Sequence, residues 1–266
     1  MIINREHDFG FVHIPKCAGS TIRQQLRDID DLEGRFYHTM ILPDLGQINA
    51  NHTPLAVLER HLPEVLAQLN AVTSYAIVRE PHARFRSGVA QYLRDYVGEP
   101  GELSEQQLLS EVQKIMGSIT ADPEQRDMRN TVFFRQIDYI YLNGQKAVDH
   151  VYAMTDMAAI FEKMATQHNL VLERDQVWNP TVTYRFSGSS GGLKRLKDLS
   201  RQVLPTRAYA AVRDVGIKLF TTKGAPKLED TLANTPEVAD FVTSYYAADL
   251  ILYQAVCDGT VPQTCP

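Results

Sequence analysis

The stretch FVHIPKCAGSTIRQQL, residues 11–26, places Lys16, Gly19, Ser20 and Thr21 between an apolar run and a helical pattern. An ammonium, a glycine and two hydroxyls at that spacing suit a cradle for phosphate or a similar oxyanion. Gly19 lets the backbone come close, and the hydroxyls add donors. The order differs from the Walker A pattern, in which lysine follows the second glycine; here Lys16 precedes Gly19 by three residues. A second cluster lies in VREPHARFRS, residues 78–87. Arg79 stands at the tip of an apolar run that Pro81 terminates, and Arg84 and Ser87 follow at a spacing of three. Two anion-binding corners side by side imply a ligand with two separated anionic groups.

The surrounding elements must bring these corners together. Residues 9–14 read as a short buried strand and Gly19 to Arg27 as a helix, with Ile22 and Leu26 on one face. Thr53-Pro54 opens a helix, and Pro63 starts a second helical piece. Residues 73–79 form the next strand. A helix from about Ala83 to Tyr96 follows, with Phe85, Val89, Tyr92 and Leu93 as its buried stripe. A polar loop over 97–107 leads to a weaker helix, and residues 130–142 read equally as helix or strand. Residues 148–154 are a third strand, after which Thr155 caps a helix; Thr235-Pro236 opens one long final helix. SGSSGG (187–192) reads as a loop or lid. Strands alternating with helices predict one α/β domain over 1–266, a parallel sheet covered on both faces, with ligands at its carboxyl edge.

The 266 residues are 44% hydrophobic and 22% charged, ordinary for a globular protein. A net charge of −5 without a basic stripe argues against nucleic acid as partner. No run reaches the length of a membrane span, and MIINREHDFG has no signal-peptide character, so the expected location is cytoplasmic. The three cysteines form no disulfide framework; Cys257 and Cys265 are expected as thiols, and no Cys/His cluster has metal-ligand spacing. Cys17, beside Lys16 at a helix start, sits where a thiol pKa can fall, although a small buried filler fits it better.

The two motifs together resemble the PAPS-dependent sulfotransferases, in particular the carbohydrate (family 2) branch. HIPKCAGST is similar to that family's 5′-phosphosulfate loop, and REPHARFRS matches its 3′-phosphate motif R-[DN]-P-x-x-R-x-x-S in spacing. Two positions depart: Cys17 stands for threonine and Glu80 for Asp or Asn. Weaker similarity covers HTPLAVLERHLP, the region 133–164 and YYAADLILY. The resemblance implies a P-loop-like sulfotransferase fold with PAPS (3′-phosphoadenosine 5′-phosphosulfate) as donor and PAP as product. It also implies a glycan, glycolipid or other hydroxyl as acceptor. Lys16, Cys17, Ala18, Gly19, Ser20 and Thr21 would hold the phosphosulfate, and Arg79, Arg84 and Ser87 the 3′-phosphate. Lys16 would also be catalytic, stabilising charge on the leaving nucleotide. His52 corresponds to a family histidine that serves as base, ahead of His38, Glu59 or Asp156. Two other readings use the same residues: a P-loop-like kinase of a sugar or small molecule, and a silent nucleotide- or glycan-binding member.

Overall fold

The computed structural model describes residues 1–122, 125, 127–173, 182–184, 221–223 and 226–266; the 187–192 loop lies outside them. Its centre is a four-stranded sheet in the order β1 (Ile2–Asn4), β2 (Phe9–Val12), β5 (Thr73–Val78), β8 (His150–Ala153). Between β2 and β5 lies the hairpin β3 (Thr39–Leu42) and β4 (Gly46–Asn49); β6 (Tyr141–Leu142) and β7 (Gln145–Lys146) pair just before β8. The pairs β2–β5 and β5–β8 are parallel, whereas β1 runs antiparallel to β2. The protein is thus mixed α/β with a mostly parallel central sheet.

All four residues of β2 are buried, as are Ser74 to Val78 of β5. Successive strand side chains point to opposite faces, so continuous burial means that both faces are covered. Helix α1 (Gly19–Gln25) follows β2 directly; α2 (Leu55–His61) and α3 (Pro63–Asn70) precede β5, against which α3 packs. Helix α4 (Pro81–Tyr96) follows β5, then α5 (Glu105–Ala121) and α6 (Met157–His168). Pro81 and Pro63 each sit at the first helical position, where the missing N–H costs nothing. A capping box between Ser104 and Gln107 starts α5.

The C-terminal part contains α7 (Pro226–Ala233), α8 (Pro236–Tyr245) and α9 (Ala247–Cys257). Phe85, Val89 and Leu93 of α4 join Leu108, Val112 and Val242 in a second apolar cluster beside the main core. Three expectations change. The single final helix is two, broken at Tyr246. Residues 128–139 form two 3₁₀ stretches, neither helix nor strand. Thr155 does not cap α6; its N-cap is Asp156, with no side-chain hydrogen bond.

Candidate anion-binding site

The loop Pro15–Ala18 and the start of α4 leave the carboxyl ends of two adjacent parallel strands, β2 and β5. Lys16 and Ala18 both have left-handed backbone, at φ 65° and 59°. Non-glycine residues adopt this conformation at a cost of about 1–3 kcal/mol, and such strain collects at functional loops. Left-handed residues alternating with right-handed ones are the backbone pattern from which anion-binding concavities are built. Helix α1 is only seven residues long, so cations rather than its dipole must supply most of the field.

Gly19 has a steric reason of its own. A Cβ at this position would lie 2.2 Å from Cδ2 of His13. The glycine therefore makes room for a buried histidine of the preceding strand, a role different from close approach to a ligand. Ser20 and Thr21 are half-buried in the first helical turn.

Lys16 Nζ donates to Gln91 Oε1 of α4 at 2.9 Å. Burial, then the charges of Arg94 and Arg79, pull its pKa down to about 8. Arg79 is fixed through its backbone: Gln136 Oε1 accepts its N–H at 2.8 Å and Gln136 Nε2 donates to its carbonyl at 2.9 Å. The Arg79 guanidinium donates to the Lys16 carbonyl at 3.3 Å. Gln136 is itself held by Asp249 of α9, whose carboxylate accepts the N–H groups of Gln136 and Ile137 at 2.9 and 3.0 Å. Burial raises the Asp249 pKa to about 6, while Arg84 and those two amides oppose the shift. Neither Gln136 nor Asp249 stood out in the sequence, because neither belongs to a local motif.

Arg84 does not face a ligand. It is 2% exposed, and it donates to the carbonyls of Pro15 at 3.1 Å, Phe134 at 2.6 Å and Val132 at 3.4 Å. This corrects its expected place at the 3′-phosphate: the guanidinium ties the loop to the 3₁₀ segment. Its neighbour Arg86, two residues on, lines a cavity that Arg84 does not reach. Arg79, Ala83, Arg86, Ser87 and Ala90 line a cavity of about 180 Å³, with Glu229 of α7 on its wall. Glu80 caps α4 with both carboxylate oxygens, accepting the N–H groups of His82 and Ala83 at 2.8 and 2.7 Å. Its departure from Asp or Asn keeps the N-cap function.

The Cys17 side chain is also removed from any ligand. It is buried, with Sγ 3.4 Å from the Pro15 carbonyl and 3.3 Å from Gln136 Oε1. Burial pushes its pKa up to about 11, although Arg84 and Arg79 pull the other way. The filler reading holds, and a lowered pKa does not. Cys257 and Cys265 are free thiols.

His52 lies against His13, with ring centroids 4.5 Å apart. Its Nδ1 is 3.2 Å from the His13 carbonyl, which can only accept. The proton therefore resides on Nδ1, and Nε2 carries the free lone pair. Protein packed around a ring that still meets solvent at one edge holds its pKa down, at about 3, and Lys16 lowers it further. His13 is driven well below the ordinary value by burial first and by His52 second. His38 is exposed at the start of the hairpin; Glu59 accepts from Asn143, and Asp156 lines a different cavity with His150.

No family model, curated protein or solved structure matches this chain. Among the described residues, no helix is long and apolar enough to cross a membrane, and no group of three or more His, Cys, Asp or Glu side chains is placed to hold a metal ion.

Proposed function

We propose that the chain is a PAPS-dependent sulfotransferase with a P-loop-like fold, moving a sulfuryl group to a hydroxyl of a glycan or glycolipid. One observation carries this reading. The loop of Lys16 and the cavity of Arg79, Arg86 and Ser87 leave neighbouring strands at the same sheet edge, and the Arg79 guanidinium bonds the loop carbonyl between them. Two cationic pockets joined in this way suit a nucleotide with one phosphate at each end. The residues present fit the donor: the loop takes the 5′-phosphosulfate, and the cavity takes the 3′-phosphate that ATP lacks. Glu229 shares that wall, and its carboxylate partly offsets the Arg79 charge.

When bound, the donor supplies an activated sulfuryl group. Lys16 would stabilise charge gathering on the leaving phosphate, an effect worth about 3–4 kcal/mol or 10²–10³-fold in rate. Gln91 and the Gln136–Asp249 pair hold Lys16 and Arg79 in place beforehand, so little reorganisation is needed at reaction. The Nε2 lone pair of His52 is the base for the acceptor hydroxyl. Burial is the main cause of its low basicity, and an anion held at Lys16 offsets only the smaller contribution of that cation.

Thermal shift with adenosine 3′,5′-bisphosphate tests the donor site. At 100 times Kd a ligand of the folded state adds about 2.7 kcal/mol, and Mg²⁺-ATP should add much less. Transfer of ³⁵S from labelled PAPS to a glycan panel then tests the chemistry. Stronger stabilisation by Mg²⁺-ATP would point to the kinase reading. Stabilisation by the bisphosphate without transfer would point to a silent binder.

A further inference from the structure

The cavity beside the start of α4 contains one group that an anion pocket does not need. Arg79 at the end of β5 and Arg86 and Ser87 of α4 supply two cations and a hydroxyl, and Glu229 of α7 shares their wall. Among the described residues, Glu229 is the one carboxylate that lines this cavity. It is exposed and forms no ion pair with Arg79 or Arg86, yet its charge reaches Arg79 and partly offsets it. The other groups felt by Arg79 are Cys17, which is buried, and Glu80, whose oxygens are taken by the first amides of α4. Helices α5 and α8 and the 3₁₀ turn Pro100–Glu102 also pack against α7, but no charged residue of theirs lines the cavity.

At about 180 Å³ the space is well under the ~300–1,000 Å³ of a pocket for a whole small molecule, so it takes an anionic group and not a nucleoside. Two cations and one carboxylate around such a space sort oxyanions by whether they carry a proton. A phosphate monoester has a second pKa of about 6, so near neutrality it binds with one P–OH or takes up that proton on binding. The P–OH donates to the Glu229 carboxylate, while the other oxygens accept from the guanidinium groups and the Ser87 hydroxyl. A sulfate ester has the same tetrahedral shape but no proton to give. Its lone pairs would meet those of the carboxylate, a repulsion that discriminates against it.

We propose that Glu229 makes this cavity selective for a protonated phosphate monoester over a sulfate. The proposal rests on the sulfotransferase reading for the identity of the ligand, and it deepens that reading. PAPS carries a phosphate monoester at one end and a sulfuryl group at the other. Glu229 admits the first and turns away the second, which sets the direction of the donor and leaves the sulfuryl end to the loop of Lys16. Glu229 is a specificity residue and touches none of the reacting atoms.

The test compares adenosine 3′-phosphate with adenosine 3′-sulfate on the full-length protein by isothermal titration calorimetry, using competition with adenosine 3′,5′-bisphosphate where binding is weak. Neither monoester has a 5′ group, so Lys16 does not enter. At pH 6 the phosphate should bind about 10–100-fold more tightly than the sulfate, the equivalent of one charge-assisted contact. Between pH 5.5 and 7.5 the phosphate should lose about five- to tenfold in affinity as its proton leaves, and the sulfate should not change. Glu229→Gln should strengthen sulfate binding and remove most of the preference. It should also reverse the pH trend, because the phosphate dianion then suits the two arginines best. The melting temperature of this exposed variant should stay within about 1 °C of the wild type. Equal affinities for the two esters in the wild type, or a preference that survives Glu229→Gln, would overturn the inference while bisphosphate binding leaves the donor reading standing. If neither the monoesters nor the bisphosphate bind, the donor reading fails and this inference fails with it.

Discussion

Arg84 and Arg86 are two residues apart on α4, and their environments predict opposite consequences of substitution. Arg84→Met removes two good charge-assisted bonds, to the Pro15 and Phe134 carbonyls at 3.1 and 2.6 Å, and strands both acceptors in the interior. At about 1.5–3 kcal/mol per bond to a charged group, the loss is about 3–6 kcal/mol. A chain of this size loses about 2–3 °C per kcal/mol, so the melting temperature should fall by about 10 °C. Arg84→Lys, which keeps one donor and the charge, should fall less. Arg86→Gln removes a half-buried cation from the cavity wall; its melting temperature should move by about 1–2 °C at most. Its affinity for adenosine 3′,5′-bisphosphate, read by isothermal titration calorimetry, should drop about 10–100-fold, the equivalent of one charge-assisted contact. A stable Arg84→Met protein that has lost the bisphosphate would place Arg84 on the ligand and refute the reasoning. An Arg86→Gln protein with full affinity would refute it from the other side.

Lys16 supplies a pH test. With its pKa at about 8 in the free protein, the ammonium is lost as pH rises through 8, so bisphosphate affinity should fall between pH 8 and 9.5, approaching tenfold per pH unit. Lys16→Arg, which does not titrate in that range, should flatten the profile; a wild-type profile already flat would remove Lys16 from the anion contact. At Cys17, with a pKa near 11 and no surface, iodoacetamide at pH 8 should leave the thiol untouched while alkylating exposed Cys257. Peptide mass spectrometry after brief labelling decides this, and rapid modification of Cys17 in folded protein would overturn its role as filler.

The parts of the site that were legible in the sequence are those where chain-local signals agree. An apolar run broken at Pro15 or at Glu80-Pro81 marks the ends of β2 and β5, and Pro81 also starts α4, because proline stops a strand and suits the first helical position. Arg84 was misplaced because spacing alone does not tell which side of a helix faces the core. Its partners, the carbonyls of Pro15 and Phe134, are 69 and 50 residues away, and such contacts leave no local trace. Gln136 and Asp249 were invisible for the same reason: they act through backbone groups of Arg79 and of residues 136–137. The first strand, Ile2–Asn4, is three residues long, too short for periodicity to register. The 3₁₀ segments at 128–139 mix both apolar periods, which is why helix and strand templates fitted equally.

How the cations are anchored separates a ligand site from a set of structural ion pairs. Elsewhere on this chain arginines meet carboxylates: Arg5 with Asp31, Arg35 with Glu64, Arg129 with Asp127, Arg135 with Asp138. At the site the anchors are neutral. Lys16 donates to an amide oxygen of Gln91, and Arg79 to the Lys16 carbonyl. A neutral acceptor fixes the side chain without forming an ion pair, so in the free protein Lys16 feels the repulsion of Arg94 and Arg79, only partly offset by Asp95. That repulsion lowers stability, and a bound anion relieves it at the moment of binding. The same arrangement therefore gives both the field that draws a polyanion to a chain of net charge −5 and the reason such a ligand should raise the melting temperature.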